Sequence, residues 1–505
     1  MNNNGNNQAL ENMVDEGTGG SLNSALNLIK RLGVEKGAKA LAWIFPKLGN
    51  NSYLLKKAGG IGKYFTAKMV QNRYGGKESK EMIENRKYGC SMFMDMIVRD
   101  YPRASTNTKE KIADIVFNQQ IVQRAKPRQA YIDKFGTKPP HLMILNPTYK
   151  CNLKCVGCYA AKYSKGQDMS LEKMNDLIDQ GRKEMGMHLI TLTGGEPTCW
   201  PPLMEMVKDN PDIMFQIYTH GQLIDDKLAG EMADAGNIYP AISLEGTKEL
   251  TDWRRGQGAY DKVLASMKRL KENGVLFGFS ATATRPNSKQ IMSEEFVDKM
   301  IDQGASFGWY FQYIMTGREP KPELVPTAEQ RWERRQDLYT LRQKEKPILT
   351  FDFWNDGDLI NGCLAFGNRY LNITAEGDVE PCVFMQYTTG NVYEKSLVEI
   401  INSPLWQEAR SLQPFADKGE EVDLRRPCPI IDHPEVVRGL FKKYEGQVKP
   451  SNDGAHRLLY GDLITSVDET SRKFKEYLAG VDAKKCSSCK SCENQVLPDY
   501  AVSGR

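Results

Sequence analysis

No apolar run in this 505-residue chain approaches the length that a membrane-spanning helix needs. No export signal opens it, because Met1 to Gly20 is polar and acidic. The formal net charge of +4 is small for the length and no nucleic-acid motif accompanies it, so no nucleic-acid partner is expected. One stretch almost lacks negative charge. Between residues 21 and 73, Glu35 is the sole acidic residue, against Lys30, Arg31, Lys36, Lys39, Lys47, Lys56, Lys57, Lys63, Lys68 and Arg73.

What is present is otherwise ordinary for a globular chain: 40% hydrophobic and 26% charged residues, enough to bury a sizeable core in about two to four domains. The eleven cysteines are the exception. Their number is odd and most fall into clusters. In a chain without an export signal they read as metal ligands rather than disulfides, which places the protein in the reducing cytoplasm of an anaerobe.

Residues 1–20, rich in Asn and Gly, read as a disordered tail. Residues 21–140 read as a helical region, basic at its start. Leu41, Ile44, Phe45 and Leu48 are spaced i, i+3, i+4 and i+7, and Pro46 divides the stretch into short segments. With Trp43 and Tyr53 beside them, they read as an amphipathic element peripheral on an anionic membrane, at the inner face of the cell membrane. The alternative is a helical cap on the enzyme that keeps its lysines in water. Cys90, alone in this region, reads as a small buried hydrophobe.

The apolar run His141 to Leu145 reads as a buried strand, and Cys151, Cys155 and Cys158 follow it with C-x3-C-x2-C spacing. Three thiolates on one loop can hold three irons of a 4Fe–4S cube and leave the fourth open. A zinc site is the other reading, although zinc usually pairs C-x2-C knuckles. From residue 141 to about 320, strand and helix patterns alternate. Strands are expected at His141–Asn146, His188–Thr193, Met214–Thr219, Tyr239–Leu244, Val275–Ala281 and Phe307–Met315. Helices are expected at Leu171–Glu184 and Tyr260–Glu272. This alternation implies a parallel sheet with crossover helices. Thr193-Gly194-Gly195-Glu196-Pro197 directly follows the second strand.

The cysteine loop and this turn resemble those of radical S-adenosylmethionine (SAM) enzymes, in which a cluster electron cleaves SAM to methionine and a 5′-deoxyadenosyl radical. The resemblance implies a partial (β/α)6 TIM-like barrel with its chemistry at the C-terminal strand ends. It implies that Cys151, Cys155 and Cys158 hold the cube, and that Gly194, Gly195, Glu196 and Pro197 receive the SAM amino group. The family usually has an aromatic residue just before the third cysteine; here that residue is Gly157, with Tyr159 just after the cysteine as the candidate to cover the cluster. Ser243 and Glu245, ending the fourth strand, are candidates for the SAM ribose. Arg255, in Asp252-Trp253-Arg254-Arg255-Gly256, is suited to grip the SAM carboxylate. For both arginines a surface salt bridge is the competing reading. His220 reads as a hydrogen-bonded structural residue, and Cys199 as no ligand.

A proline-marked linker and an Arg- and Gln-rich helix from about Ala328 to Lys344 follow. Residues 345–505 read as a small iron–sulfur-binding domain. Cys363, Gly377 and Cys382 are spaced C-x13-G-x4-C, with a hairpin turn at Ala375-Glu376-Gly377-Asp378 that brings the two cysteines side by side. This resembles the opening of the SPASM or twitch auxiliary-cluster domain, with Cys428 as third ligand. Cys486, Cys489 and Cys492 resemble the first three ligands of a bacterial ferredoxin run, without the fourth; a zinc knuckle is their other reading. The C-x2-C-x5-C-x3-C block of a full SPASM domain is absent, so one auxiliary 4Fe–4S cluster is expected, with two as the alternative.

The resemblance implies an enzyme that activates an unactivated C–H bond, with reduced ferredoxin or flavodoxin as electron donor. The basic amphipathic stretch and the aromatic sixth strand, Trp309-Tyr310-Phe311-Gln312-Tyr313, lean the substrate toward a membrane-lipid alkyl chain, with C–C coupling as one outcome. The alternatives are a peptide-modifying maturase and a non-catalytic iron–sulfur electron carrier. No peptide-recognition domain is legible in residues 1–140.

Overall fold

The computed structural model describes residues 19–76, 79–344 and 346–488. Its centre is one sheet of nine strands: β1 (Leu142–Leu145), β2 (Leu189–Leu192), β3 (Met214–Thr219), β4 (Ile238–Ser243), β5 (Gly278–Ala283), β6 (Phe307–Gln312), β7 (Leu349–Asp352), β8 (Tyr370–Ile373) and β9 (Val379–Glu380). The spatial order is β7-β6-β5-β4-β3-β2-β1-β8-β9, parallel throughout except for the β8–β9 hairpin. The expected partial TIM-like barrel is therefore present, with crossover helices on its outside. Along β3 the side chains alternate: Phe215 and Ile217 join the core between sheet and helices, while Gln216 and Tyr218 face an internal cavity.

Three features differ from expectation. Strand β5 starts at Gly278, not Val275, because the Val275 amide still donates to the carbonyl of Leu270 in the preceding helix. A seventh parallel strand, β7, pairs with β6; at four residues it is too short to show a periodicity. The hairpin of the cysteine-bearing C-terminal region is not detached from the barrel: β8 pairs in parallel with β1 and extends the same sheet.

The N-terminal region is helical, as expected: α1 (Gly19–Ile29), α2 (Val34–Ile44), α3 (Ser52–Tyr74) and α4 (Lys80–Asp100). Pro46 sits in a 3₁₀ turn over Phe45–Leu48 that separates α2 from α3. The apolar stripe meets no lipid, however. Leu41, Ile44, Phe45 and Leu48 are buried in a cluster with Tyr239, Ala241, Leu276, Phe307 and Leu349, near the starts of β4 to β7. The apolar face is consumed in closing the N-terminal end of the barrel, and this removes the hydrophobic half of the membrane argument. The basic face stays outside: Lys30, Arg31, Lys36, Lys39, Lys47 and Lys56 are exposed. Cys90 is partly buried, against Val70, Tyr74 and Ile83. Among the described residues no helix is long and apolar enough to cross a membrane.

The arginine-rich helix α5 (Ala328–Gln343) carries buried charge. Arg331 pairs with Asp432, Arg334 with Asp352, Arg335 with Asp358 and Arg342 with Asp356, at 2.6 to 2.9 Å. Arg334 and Asp352 are both fully enclosed. Breaking such a pair strands a charge out of water. Asp352→Ala is therefore expected to destabilise the protein by about 3–5 kcal/mol, read as a lower denaturant midpoint. Lys39→Ala, which removes only the exposed contact to Glu35, should change stability by less than about 1 kcal/mol.

Candidate active site

The cysteine loop leaves the C-terminal end of β1 and is held on both sides. On one side the Asn146 side-chain Nδ2 donates to Asn372 Oδ1 at 2.7 Å and to the Ile373 carbonyl at 2.6 Å, both on β8. On the other, the Gly195 amide donates to the Thr148 carbonyl and the Glu196 amide to the Lys150 carbonyl, each at 2.9 Å. The two glycines are needed for this close approach. A Cβ on Gly195 would lie 2.3 Å from the Lys150 carbonyl oxygen, and one on Gly194 2.5 Å from that of Thr148. Their smallness lets the turn after β2 dock on the cysteine loop.

Gly157, where relatives carry an aromatic residue, has φ of +65°, and a Cβ there would lie 2.5 Å from the Tyr313 ring. An aromatic side chain thus does cover this point, supplied from just beyond β6. Tyr159 lines the cavity and bonds to Thr193 Oγ1 at 2.8 Å.

Glu196 is buried. Its carboxylate accepts from Thr198 Oγ1 at 2.7 Å, Thr219 Oγ1 at 2.6 Å and the His220 amide at 2.9 Å, with His220 Nε2 at 3.3 Å. His220 also bonds to Asn152 Oδ1 at 2.7 Å, as a structural histidine does, and burial lowers its pKa. Pro197 opens the short 3₁₀ turn that follows. Ser243 faces the cavity and bonds to Ser280 Oγ at 3.1 Å. Glu245 and the arginines depart from expectation. Glu245 is not on the cavity wall. Its Oε1 accepts from Arg254 Nη1 at 2.6 Å and from Arg255 Nη2 and Nε at 2.6 and 2.8 Å. The arginines make a buried ion pair, not a surface one. Burial opposes the Arg255 charge, but Glu245, Cys155 and Cys158 outweigh it and hold its pKa above the ordinary value. Arg254 also exchanges main-chain hydrogen bonding with the cysteine loop through the Val156 amide, at 2.9 Å.

The second cysteine group gathers residues far apart in sequence. The β8–β9 hairpin, with Gly377 at φ +88° in its turn, delivers Cys382. Cys363 and Cys428 come from loops, and the Cys428 amide donates to Asp432, which Arg331 holds. Tyr370 Oη lies 3.3 Å from Cys382 Sγ. Cys489 and Cys492 lie outside the described residues, as does the side chain of Cys486.

Both trios, Cys151/Cys155/Cys158 and Cys363/Cys382/Cys428, line one cavity of about 460 Å³ inside the barrel. Its other walls are mostly apolar and aromatic. Burial pushes the Cys151 and Cys428 thiols up to about 12 and raises Cys158, Cys363 and Cys382 as well. Thiols in so dry a place ionise when a cationic centre compensates them. Three cysteine thiols at each place, with no histidine or carboxylate among them, fit iron–sulfur clusters, whose irons take thiolate ligands. Gly195→Ala should push the turn off the cysteine loop, and is expected to lower the iron content of the purified protein while leaving its far-ultraviolet circular dichroism unchanged.

Comparison with known proteins agrees with this geometry. Residues 145–283 match the radical SAM superfamily, and residues 363–429 match SPASM, an iron–sulfur cluster-binding domain. The AdoMet-dependent heme synthase of Methanosarcina barkeri is 23% identical over 333 residues, 60% of this chain and 91% of that protein. The mycofactocin maturase MftC of Mycobacterium tuberculosis is 28% identical over 310 residues, 57% of this chain and 77% of that protein. Among solved structures, Streptococcus suis SuiB bound to S-adenosylmethionine shares the fold, with a TM-score of 0.50 at 21% identity, over 61% of this chain and 77% of that one. A C-x3-C-x2-C loop and a glycine-rich turn docked together at the strand ends, with a second cysteine group on the same cavity, make this chain a radical SAM enzyme with a C-terminal SPASM-type auxiliary iron–sulfur domain.

Proposed function

We propose that the protein is a maturase that activates a C–H bond of a peptide. The observation that carries the reading is the single apolar cavity shared by both cysteine trios, which gives a substrate side chain access to both. The likeness to a mycofactocin maturase over 77% of that protein supports a peptide. A lipid chain is the weaker reading, because the apolar stripe that suggested it lies in the core. A tetrapyrrole is the second reading, supported by the likeness to a heme synthase over 91% of its length and by Arg318 and Arg369 on the cavity wall.

In this reading Cys151, Cys155 and Cys158 hold the SAM-binding cube, and Cys363, Cys382 and Cys428 the auxiliary cluster. Cluster and SAM, when bound, supply one-electron chemistry that ends in hydrogen-atom abstraction. The chain's own residues do the rest. Glu196, fixed by Thr198, Thr219 and the His220 amide, presents a negative oxygen pair for the SAM ammonium. Ser243, on the cavity wall, offers a hydroxyl for the ribose. The apolar lining excludes water and so protects a reactive species from side reactions. The enzyme requires a low-potential donor, for which reduced ferredoxin or flavodoxin is the proposed partner.

Replacing Cys151, Cys155 and Cys158 together by Ala should remove about four irons per chain and abolish 5′-deoxyadenosine formation. Iron bound through Cys363, Cys382 and Cys428 should remain visible by Mössbauer spectroscopy. Glu196→Gln should weaken SAM binding by about ten- to a hundredfold, the loss of one charged hydrogen bond, measured by equilibrium dialysis of labelled SAM. The substrate class is tested by mass spectrometry of peptides, tetrapyrroles and lipids from cells with and without the gene. A peptide whose mass changes only with the gene supports the proposal, and a change confined to lipids or tetrapyrroles refutes it.

A further inference from the structure

The two cysteine trios differ in what reaches their sulfurs. In the first, the Leu153 amide donates to Cys151 Sγ at 3.4 Å. Tyr159, just after Cys158, has its hydroxyl on Thr193 Oγ1 at 2.8 Å. In the second, the Ala365 amide donates to Cys363 Sγ at 3.3 Å and the Phe384 amide to Cys382 Sγ at 3.5 Å. Cys382 also meets a side chain, because Tyr370 Oη lies 3.3 Å from its Sγ.

The backbone sets that contact. The β8–β9 hairpin pairs Asn372 with Glu380 and Ile373 with Val379. Carried two residues further, the same register puts Tyr370 opposite Cys382, where cross-strand side chains meet. The Tyr370 amide donates to the carbonyl of Leu364, the residue after Cys363, at 3.1 Å. Tyr370 is thus held beside one cysteine by its backbone and reaches another with its hydroxyl. Its ring is partly buried in the cluster that includes Cys382 and Cys428, and it lines the shared cavity. A ligating thiolate carries no proton, so the hydroxyl is the donor.

Hydrogen bonds to the sulfurs help set the reduction potential of an iron–sulfur cluster. A donor favours the more negative, reduced state and so raises the potential, and it does so most strongly where water is excluded. We propose that Tyr370 sets the potential of the auxiliary cluster: its hydroxyl, bonded to Cys382, makes that cluster easier to reduce than backbone donors alone would. The inference rests on the assignment of Cys363, Cys382 and Cys428 as its ligands under the proposed function, and is the same for a peptide or a tetrapyrrole substrate.

The test uses full-length protein with its clusters reconstituted anaerobically. Reduction by titanium(III) citrate is followed by electron paramagnetic resonance against measured potential. Replacing Cys151, Cys155 and Cys158 by Ala isolates the auxiliary signal. In that background Tyr370→Phe, which keeps the ring, should shift the equilibrium about tenfold toward the oxidised cluster, a fall of about 59 mV for one electron. Iron content and circular dichroism should not change. With the first trio intact, the same fall should appear in one of two midpoints and not in the other. In heavy water, electron–nuclear double resonance should show the loss of one exchangeable deuteron coupled to the auxiliary cluster in Tyr370→Phe. Tyr159→Phe, which removes the hydroxyl bonded to Thr193, should leave the auxiliary midpoint in place. An auxiliary midpoint that stays put in Tyr370→Phe, or falls equally in Tyr159→Phe, overturns the inference while the ligand assignment stands. If the protein without the first trio is folded but binds no iron, the ligand assignment falls and the inference falls with it.

Discussion

Strand β1 is hydrogen-bonded on both edges, to β2 on one side and β8 on the other, and the site depends on that double pairing. All three strands run in parallel, so the segments leaving them emerge at one end of the sheet. The cysteine loop leaves β1, the Gly-Gly-Glu turn leaves β2, and the hairpin carrying Cys382 leaves β8. A four-residue strand thus sets three functional segments side by side. Side chains then lock the arrangement. Asn146 reaches Asn372, and Asn372 donates to Glu380 at 2.7 Å, as does Tyr163. Burial pushes Glu380 up to about 8, and Tyr163 stacks on Tyr149 at 4.2 Å. This buried network ties both cysteine groups to one scaffold, so their separation is fixed by the sheet and not by a linker.

The second constraint is dryness. The cavity sits between an apolar core on one side and aromatic walls on the other, and burial raises the resolved thiol pKa values around it. Buried carboxylates at the site are compensated: Glu245 takes Arg254 and Arg255, and Glu196 sits among hydrogen-bond donors. The same rule governs the outer edge, where four arginines of α5 each face an aspartate. A site built this way holds clusters by desolvated thiolates and keeps water from whatever reacts there.

The N-terminal helices serve the barrel more directly than their composition suggests. Their apolar stripe closes the end of the sheet opposite the cysteines, and their lysines face solvent. Lys47 lies over the Trp43 ring at 3.7 Å. A basic amphipathic pattern is the same whether its apolar face meets lipid or protein, and only the packing partner distinguishes the two.

The sequence by itself determined the class. The C-x3-C-x2-C spacing, the Gly-Gly-Glu-Pro turn and the alternation of six strands with helices were legible because each is local: loop ligands are adjacent in the chain, and a strand shows its period within a few residues. The hairpin joining Cys363 to Cys382 was legible for the same reason, from its turn residues. Only the tertiary structure decided the rest. That Tyr313 fills the space at Gly157, that β7 pairs beside β6 and that both cysteine groups open on one aromatic cavity are facts about residues dozens to hundreds of positions apart, and that Glu245 binds Arg254 and Arg255, nine and ten positions on, depends on how the chain turns back after β4. Their partners are chosen by sheet order and by the cost of leaving charge or polar atoms buried alone, and neither leaves a periodic trace in the chain.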